Sequence, residues 1–230
     1  MKSEITVSHV HIETDLVLSD EAVQILVVEN ADEFYNIVSE LYNQFDGEDG
    51  NFVFKLKDEV VSAEKNGIMI CNPFHLDYND KKIISLLYKV LEKESLGDAL
   101  PQYNEVVSSM IKYLEEISFN VPFKLSYNEP QPAEIMKVCG LKIESAYDTL
   151  LEKIICFINA LIELKKCEFF VFVNLKSVLS DEKLLNLYSH CKNEKVGLLL
   201  IESSIIRNLL PEEKAVVITE DLCEILVNYN

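Results

Sequence analysis

The first apolar positions of the chain alternate, and the next ones do not. In "EITVSHVHIE" (4–13) apolar and polar residues take turns, which predicts a strand at a sheet edge or with one face in solvent. In "AVQILVVE" (22–29) Val, Ile and Leu run almost without a break, as in a strand covered on both faces. Asn30 or Asp32 then stands as a helix cap. Phe34, Ile37, Val38, Leu41, Tyr42 and Phe45 keep helical spacing over 32–45. "DGEDGN" (46–51) is a turn cluster. "FVFKLKDEV" (52–60) predicts a strand whose Lys55 and Lys57, two apart, share a face. "EKNG" (64–67) predicts a further turn, and "IMICNP" (68–73) a short buried strand ending at Pro73.

From position 80 the period changes. "DKKIISLLYKVLEKE" (80–94) and "QYNEVVSSMIKYLEEIS" (102–118) are helical, separated by Leu96-Gly97-Asp98 and Pro101. The stretch 120–134 is irregular, with three prolines, and a short helix over 132–138 closes at Gly140. Ser145, with Asp148 three residues on, resembles a capping box at the head of a long amphipathic helix, 145–166. Buried strands follow at 167–174, 195–203 and 214–220, with a helix over 181–192 capped by Ser180. Strand, helix, strand, helix, strand spells an α/β fold with a mainly parallel sheet flanked by helices. The expected division is an α/β head, 1–75 plus 141–230, with a helical leg, 76–140, inserted in it.

Composition narrows the class. The chain has 230 residues, is 49% hydrophobic and holds no twenty-residue apolar run free of charge, so no membrane span is expected. Its first residues lack the apolar core of a secretory signal. The six cysteines form no C-x-x-C pair and are expected to be reduced, mostly buried thiols of a cytoplasmic protein. With 21 basic and 39 acidic side chains the net charge is −18, which repels polyanions at long range. Screening beyond ~8 Å leaves room for a local basic stripe to act at contact distance.

The stretch "QILVVENADEFYNIV" (24–38) puts a strand, a tight turn and a helix where many α/β proteins hold phosphate. A phosphate loop needs glycines for close backbone approach and a lysine for the charge. This turn has neither, and Glu29 and Asp32 would face a triphosphate with like charge. At the end of "FFVFVN" a magnesium-binding ATPase would place an Asp, and this chain has Asn174. Other chemistry is equally thin. His9 and His11 share a strand face and make at most half a metal site, polar surface being the plainer role. No G-x-S-x-G elbow is present, Glu115-Glu116 read as solvated charge, and Cys139 has no neighbouring His. The expected protein is not an enzyme.

The second half carries an ordered set of motifs. Gly140 precedes Lys142 and Glu144 in a short apolar–Lys–apolar–Glu stretch, and Tyr147-Asp148-Thr149 opens a long helix. Lys165-Lys166, a buried strand ending Phe172-Val173-Asn174, and the cap Leu179-Ser180-Asp181 follow. In the first half, "ILVVENADEFYNIVSELYNQFDGEDGNFVFKLKD" fits the same pattern more loosely. The chain resembles the CRISPR-associated type II-A spacer-acquisition accessory family, ring proteins of the Csn type. The resemblance implies a degenerate P-loop-like head and an inserted leg. It also implies sequence-independent binding of double-stranded DNA ends by a homotetrameric ring, alongside the CRISPR integrase complex and the type II effector nuclease, without catalysis.

Under that resemblance the candidate DNA contacts are Lys55 and Lys57 first, then Lys65 and Lys176 on loops, then Arg207. Each would act on phosphate and none on base sequence. The family also binds calcium through alternating acids between the leg helices. Here the matching stretch, "FKLSYNEP" (123–130), has Lys124, Ser126 and Asn128 at alternate positions. The remaining candidates, Glu116, Glu129 and Glu134, are few for an ion that takes six to eight oxygens. Calcium binding is therefore expected to be weakened or lost, with Lys124 bridging to one of these acids instead. Two readings from other classes stay open: a nucleotide-binding α/β enzyme with a non-standard loop, and an acidic scaffold for basic proteins.

Overall fold

The computed structural model describes residues 4–19, 21–57, 59–144, 147–165, 167–204 and 208–228. It divides into two compact units, Met1–Leu76 with Tyr147–Asn230, and Asp77–Ala146.

The first unit holds two sheets. The six-stranded sheet is built from β3 (Val23–Val28), β6 (Gly67–Ile70), β7 (Phe169–Val173), β8 (Gly197–Glu202), β9 (Glu213–Ile218) and β10 (Glu224–Asn228). Its order is β10-β9-β3-β8-β7-β6, parallel throughout except for β10, which runs antiparallel to β9. The fold is therefore α/β with a mainly parallel sheet, and its central strands β3, β7 and β8 are buried at every position. Unbroken apolar runs make such strands because both faces are covered.

One face of this sheet, including Leu26, Val28, Phe169, Val171, Leu199 and Ile201, joins a core with Ile37 and Leu41 of α1 (Ala31–Phe45). The same core takes in a four-stranded antiparallel sheet of order β2-β1-β4-β5. Its strands are β1 (Ile5–His9), β2 (Ile12–Leu18), β4 (Val53–Leu56) and β5 (Glu59–Val61). Residues of the opposite parity, such as Leu198, Leu200 and Glu202, point to the other face, where α7 (Asp181–Glu194) packs on β8 and α6 (Leu150–Lys165) packs on α7.

The antiparallel sheet corrects the sequence reading twice. The single strand expected over 4–13 turns back after His9, with a register irregularity between Val7 and His9. The strand expected over 52–60 breaks at Lys57, whose φ of 50° is left-handed, so that Leu56 pairs with Glu59. Lys55 and Lys57 therefore do not share a strand face. The 64–67 turn is a short helix, α2 (Ala63–Asn66), capped by Ser62. At Gly67 any Cβ would collide with the Phe169 ring, so β6 can lie beside β7 only through glycine.

Helix α6 starts later than expected. Thr149 Oγ1 accepts from the Glu152 N–H at 3.2 Å, and the Glu152 carboxylate accepts from the N–H groups of Asp148 and Thr149. This reciprocal cap stands at Thr149 and Glu152; Ser145, where the sequence reading put a cap, lies outside the described residues.

The second unit contains α3 (Lys81–Ser95), α4 (Leu100–Ser118) and α5 (Pro132–Val138). Asp80 caps α3 through the Lys82 N–H at 2.7 Å. The sequence put residues 141–144 with the head. They are tied to the second unit instead, because the Asn79 side chain bonds both the N–H and the carbonyl of Ile143, and Tyr88 Oη donates to the Leu141 carbonyl.

Candidate functional site

The turn between β3 and α1 is closed by its own side chains. Asn30 Oδ1 accepts from the Glu33 N–H at 3.0 Å, while Asn30 Nδ2 donates to the Glu220 carbonyl at 3.1 Å. The Glu29 N–H donates to the Ile218 carbonyl at 2.9 Å. Asp32 and Glu33 occupy the first helical turn, where they suit the positive end of the helix. A phosphate would meet these acids and an N–H group already bonded. Beyond β7, Asn174 takes the left-handed conformation, φ 52°, and its Oδ1 accepts from the Ser203 N–H at 3.0 Å. The position where an ATPase needs a magnesium carboxylate is thus a neutral amide tying two strand ends together.

Lys176 is not a surface cation. It is 4% exposed, and its Nζ donates to both Glu213 oxygens at 2.8 and 2.6 Å. Tyr188 Oη donates to the same carboxylate at 2.7 Å, and the Leu210 N–H at 2.8 Å. The Lys176 N–H donates to Glu202 Oε1 at 2.9 Å. The expectation that this residue contacts DNA fails because its ammonium is the counter-charge of a buried carboxylate. Sequence reasoning missed Glu202, Glu213 and Tyr188. The available signal was a glutamate closing the otherwise apolar "GLLLIE".

Lys55, Lys57 and Lys65 are exposed. They lie on one segment of the first unit: Lys55 on β4 opposite Thr6 and Val60, Lys57 in the turn before β5, and Lys65 on α2. Glu59 and Glu64 are exposed on the same segment. Arg207 lies outside the described residues.

The histidines part company. His11 is exposed and sits in the hairpin turn, with Nδ1 2.9 Å from Glu33 Oε1. His9 is buried, stacked on Phe52 at 4.2 Å. Its Nδ1 faces the His11 N–H at 3.2 Å and so must accept, which leaves the proton of the neutral ring on Nε2, 3.3 Å from Glu40 Oε2. Burial works to raise the Glu40 carboxyl, but the N–H of Asn51 and the His9 ring outweigh it and hold the group below its ordinary value. The exposed histidine pair expected on an edge strand is thus one buried and one surface residue, each with a carboxylate.

The calcium candidates do not come together as a site. Glu116 and Glu129 are exposed, and Glu134 Oε2 accepts from the Gln131 N–H at 2.8 Å as a helix cap. Glu115 accepts from Tyr127 Oη at 3.0 Å, which raises the phenol. Among the described residues no group of three or more His, Cys, Asp or Glu is placed to hold a metal ion, and Lys124 forms no ion pair. The residues present do not fit the ion, and the expected Lys124 bridge is not formed.

All six cysteines are free. Cys167 and Cys191 are buried, which pushes their thiols up to about 11 and about 12. Cys71, Cys139 and Cys223 are exposed, so fewer are buried than expected. Among the described residues no helix is long and apolar enough to cross a membrane.

A family model of CRISPR-associated proteins, Cas_Csn2, matches residues 44–222. The chain belongs to the Csn2 family. Curated relatives agree. A CRISPR-associated protein Csn2 of Streptococcus agalactiae is 28% identical over 197 residues, covering 81% of this chain and 84% of its own. One of Enterococcus faecalis is 23% identical over 195 residues, covering 82% and 86%. Among solved structures, a nucleotide-free ATP-binding cassette of an ABC transporter is similar at TM-score 0.46 and 11% identity, covering 97% of this chain and 91% of that one. The ADP conformation of MJ1267, an ATP-binding cassette of an ABC transporter, is similar at TM-score 0.45 and 9% identity, covering 94% and 87%. The Csn2 family match spans β4 to the end of β9 and leaves the Asn30 turn outside it.

Proposed function

We propose that this Csn2 family protein binds the ends of double-stranded DNA without reading sequence and without catalysis. Four copies form a ring that a duplex end threads, in the cytoplasm, during type II-A spacer acquisition with the integrase complex and the effector nuclease. The observation that carries the reading is the family match over residues 44–222. The closed β3–α1 turn and the neutral Asn174 support leaving nucleotide hydrolysis out.

Lys55, Lys57 and Lys65 are the proposed phosphate contacts, with Arg207 as a further candidate. A ring multiplies each lysine by four, and phosphate contacts give affinity without sequence information. A net charge of −18 would make the outside repel DNA and favour entry where these lysines face the duplex. Light scattering on the purified protein tests the assembly. A mass near four times the 26.3 kDa of one chain is expected, together with duplex binding that weakens steeply with salt. A monomer that ignores duplex at low salt would overturn the reading.

A further inference from the structure

We propose that Glu202 is a proton-operated latch, closed while its carboxyl is protonated and loosened when it ionises, joining the turn after β7 to the corner before β9 through Lys176. Glu202 ends β8 and is 1% exposed. Its Oε1 accepts from the Lys176 N–H, but its Oε2 is buried with no hydrogen-bond partner. In the sheet, Glu202 lies opposite Val27 and Glu213 corresponds to Val23 of the same strand. Lys176 therefore spans the face beneath the sheet, bonded to the first acid by its backbone and to the second by its ammonium.

The charges around Glu202 are uneven. From the turn comes Lys176, whose ammonium already bonds both oxygens of Glu213. From β9 comes Glu213, a like charge, which also takes the Tyr188 hydroxyl from α7. The flanking strands β3 and β7 bring Val27 and Val173 to the end of β8. A second buried carboxylate here has no cation of its own, and an uncompensated buried charge is strongly unfavourable. Burial pushes the Glu202 carboxyl up to about 7, against the opposing pull of the Lys176 N–H and ammonium and the Leu175 N–H.

Ionisation can be relieved in two ways. Either Glu202 rotates out past the exposed Ser203 and leaves the Lys176 N–H, or the ammonium turns toward Glu202 and leaves Glu213. The first frees the 3₁₀ turn Leu175–Ser177 from Glu202, and the second frees it from Glu213, so either one breaks the span that Lys176 makes. The sign follows from the raised value. The stabilisation is complete below the ordinary carboxylate value of 4.5 and is lost as pH rises through about 7.

Hydrogen exchange on the whole protein, corrected for intrinsic rate, tests this with no DNA present. Between pH 5.5 and 8.5 the protection of peptides over 174–179 should fall by about thirtyfold in the wild type, levelling off above about 7. Glu202→Gln, which keeps the shape and removes the titration, should be equally protected at both pH values. Unchanged wild-type protection, or the same fall in Glu202→Gln, would overturn the latch. Should Glu202→Gln fail to fold, the wild-type profile decides: a fall that levels off near 7 supports the latch, and no fall above pH 5.5 overturns it.

Discussion

Lys176 and Glu213 form a buried ion pair, with Nζ 2.6 Å from Oε2 and both side chains nearly closed to solvent. Removing one partner leaves a buried charge without compensation, which costs about 3–5 kcal/mol. Lys176→Met should therefore lower the unfolding free energy by about that amount, seen as a reduced midpoint in urea. Adding Glu213→Gln should recover part of the loss, since the amide still accepts from Tyr188 Oη and carries no charge. An unchanged midpoint in Lys176→Met would contradict the pair.

The exposed lysines should behave in the opposite way. Lys55→Ala, Lys57→Ala and Lys65→Ala together should shift stability by no more than about 0.5 kcal/mol. Duplex affinity should fall, with a shallower dependence of log K on log salt, because each lost phosphate contact removes about 0.9 from the slope. Titrations at several salt concentrations check this. An unchanged slope would remove these three residues from the DNA path.

The six-stranded sheet was legible because β3, β7 and β8 saturate their sequence with apolar side chains. The break in 52–60 was not. Lys57 takes a left-handed turn that glycine or asparagine would have announced, and a lysine hides it. β10 escaped because it is the sheet's edge strand, set by its antiparallel pairing with β9. At the site, the acidic, glycine-free character of the β3–α1 turn could be read directly from Glu29, Asn30 and Asp32, but its closure through Asn30 onto the Glu220 carbonyl could not. The fate of Lys176 could not, because a lysine after a strand suggests a loop. Only the fold brings it beneath β8 to meet Glu213, more than thirty residues away.

The Asn30 cap joins α1 to the end of β9, so it should matter for stability. Asn30→Ala removes the bond to the Glu33 N–H and the one to the Glu220 carbonyl. A loss of about 1 kcal/mol is expected from the cap alone. Chemical denaturation of the variant would show it, and a change within error would mean that the turn is held by other contacts.

Glu40 titrates in the reverse sense to Glu202. Its folded value is held below 4.5, so its stabilisation is present above 4.5 and is lost as pH falls through the lower, folded value. Glu40→Gln should cost stability at neutral pH and progressively less as the solution is acidified. Thermal unfolding from pH 3 to 7 gives the comparison. A difference that grew on acidification would contradict the His9–Glu40–Asn51 arrangement.

The most direct test of the proposed DNA-end function is binding at low salt to one duplex in two forms, linear and covalently closed circular. A threaded ring captures the linear form and none of the circle, because it must be entered from an end. Equal binding to both, or binding to neither, would contradict that function.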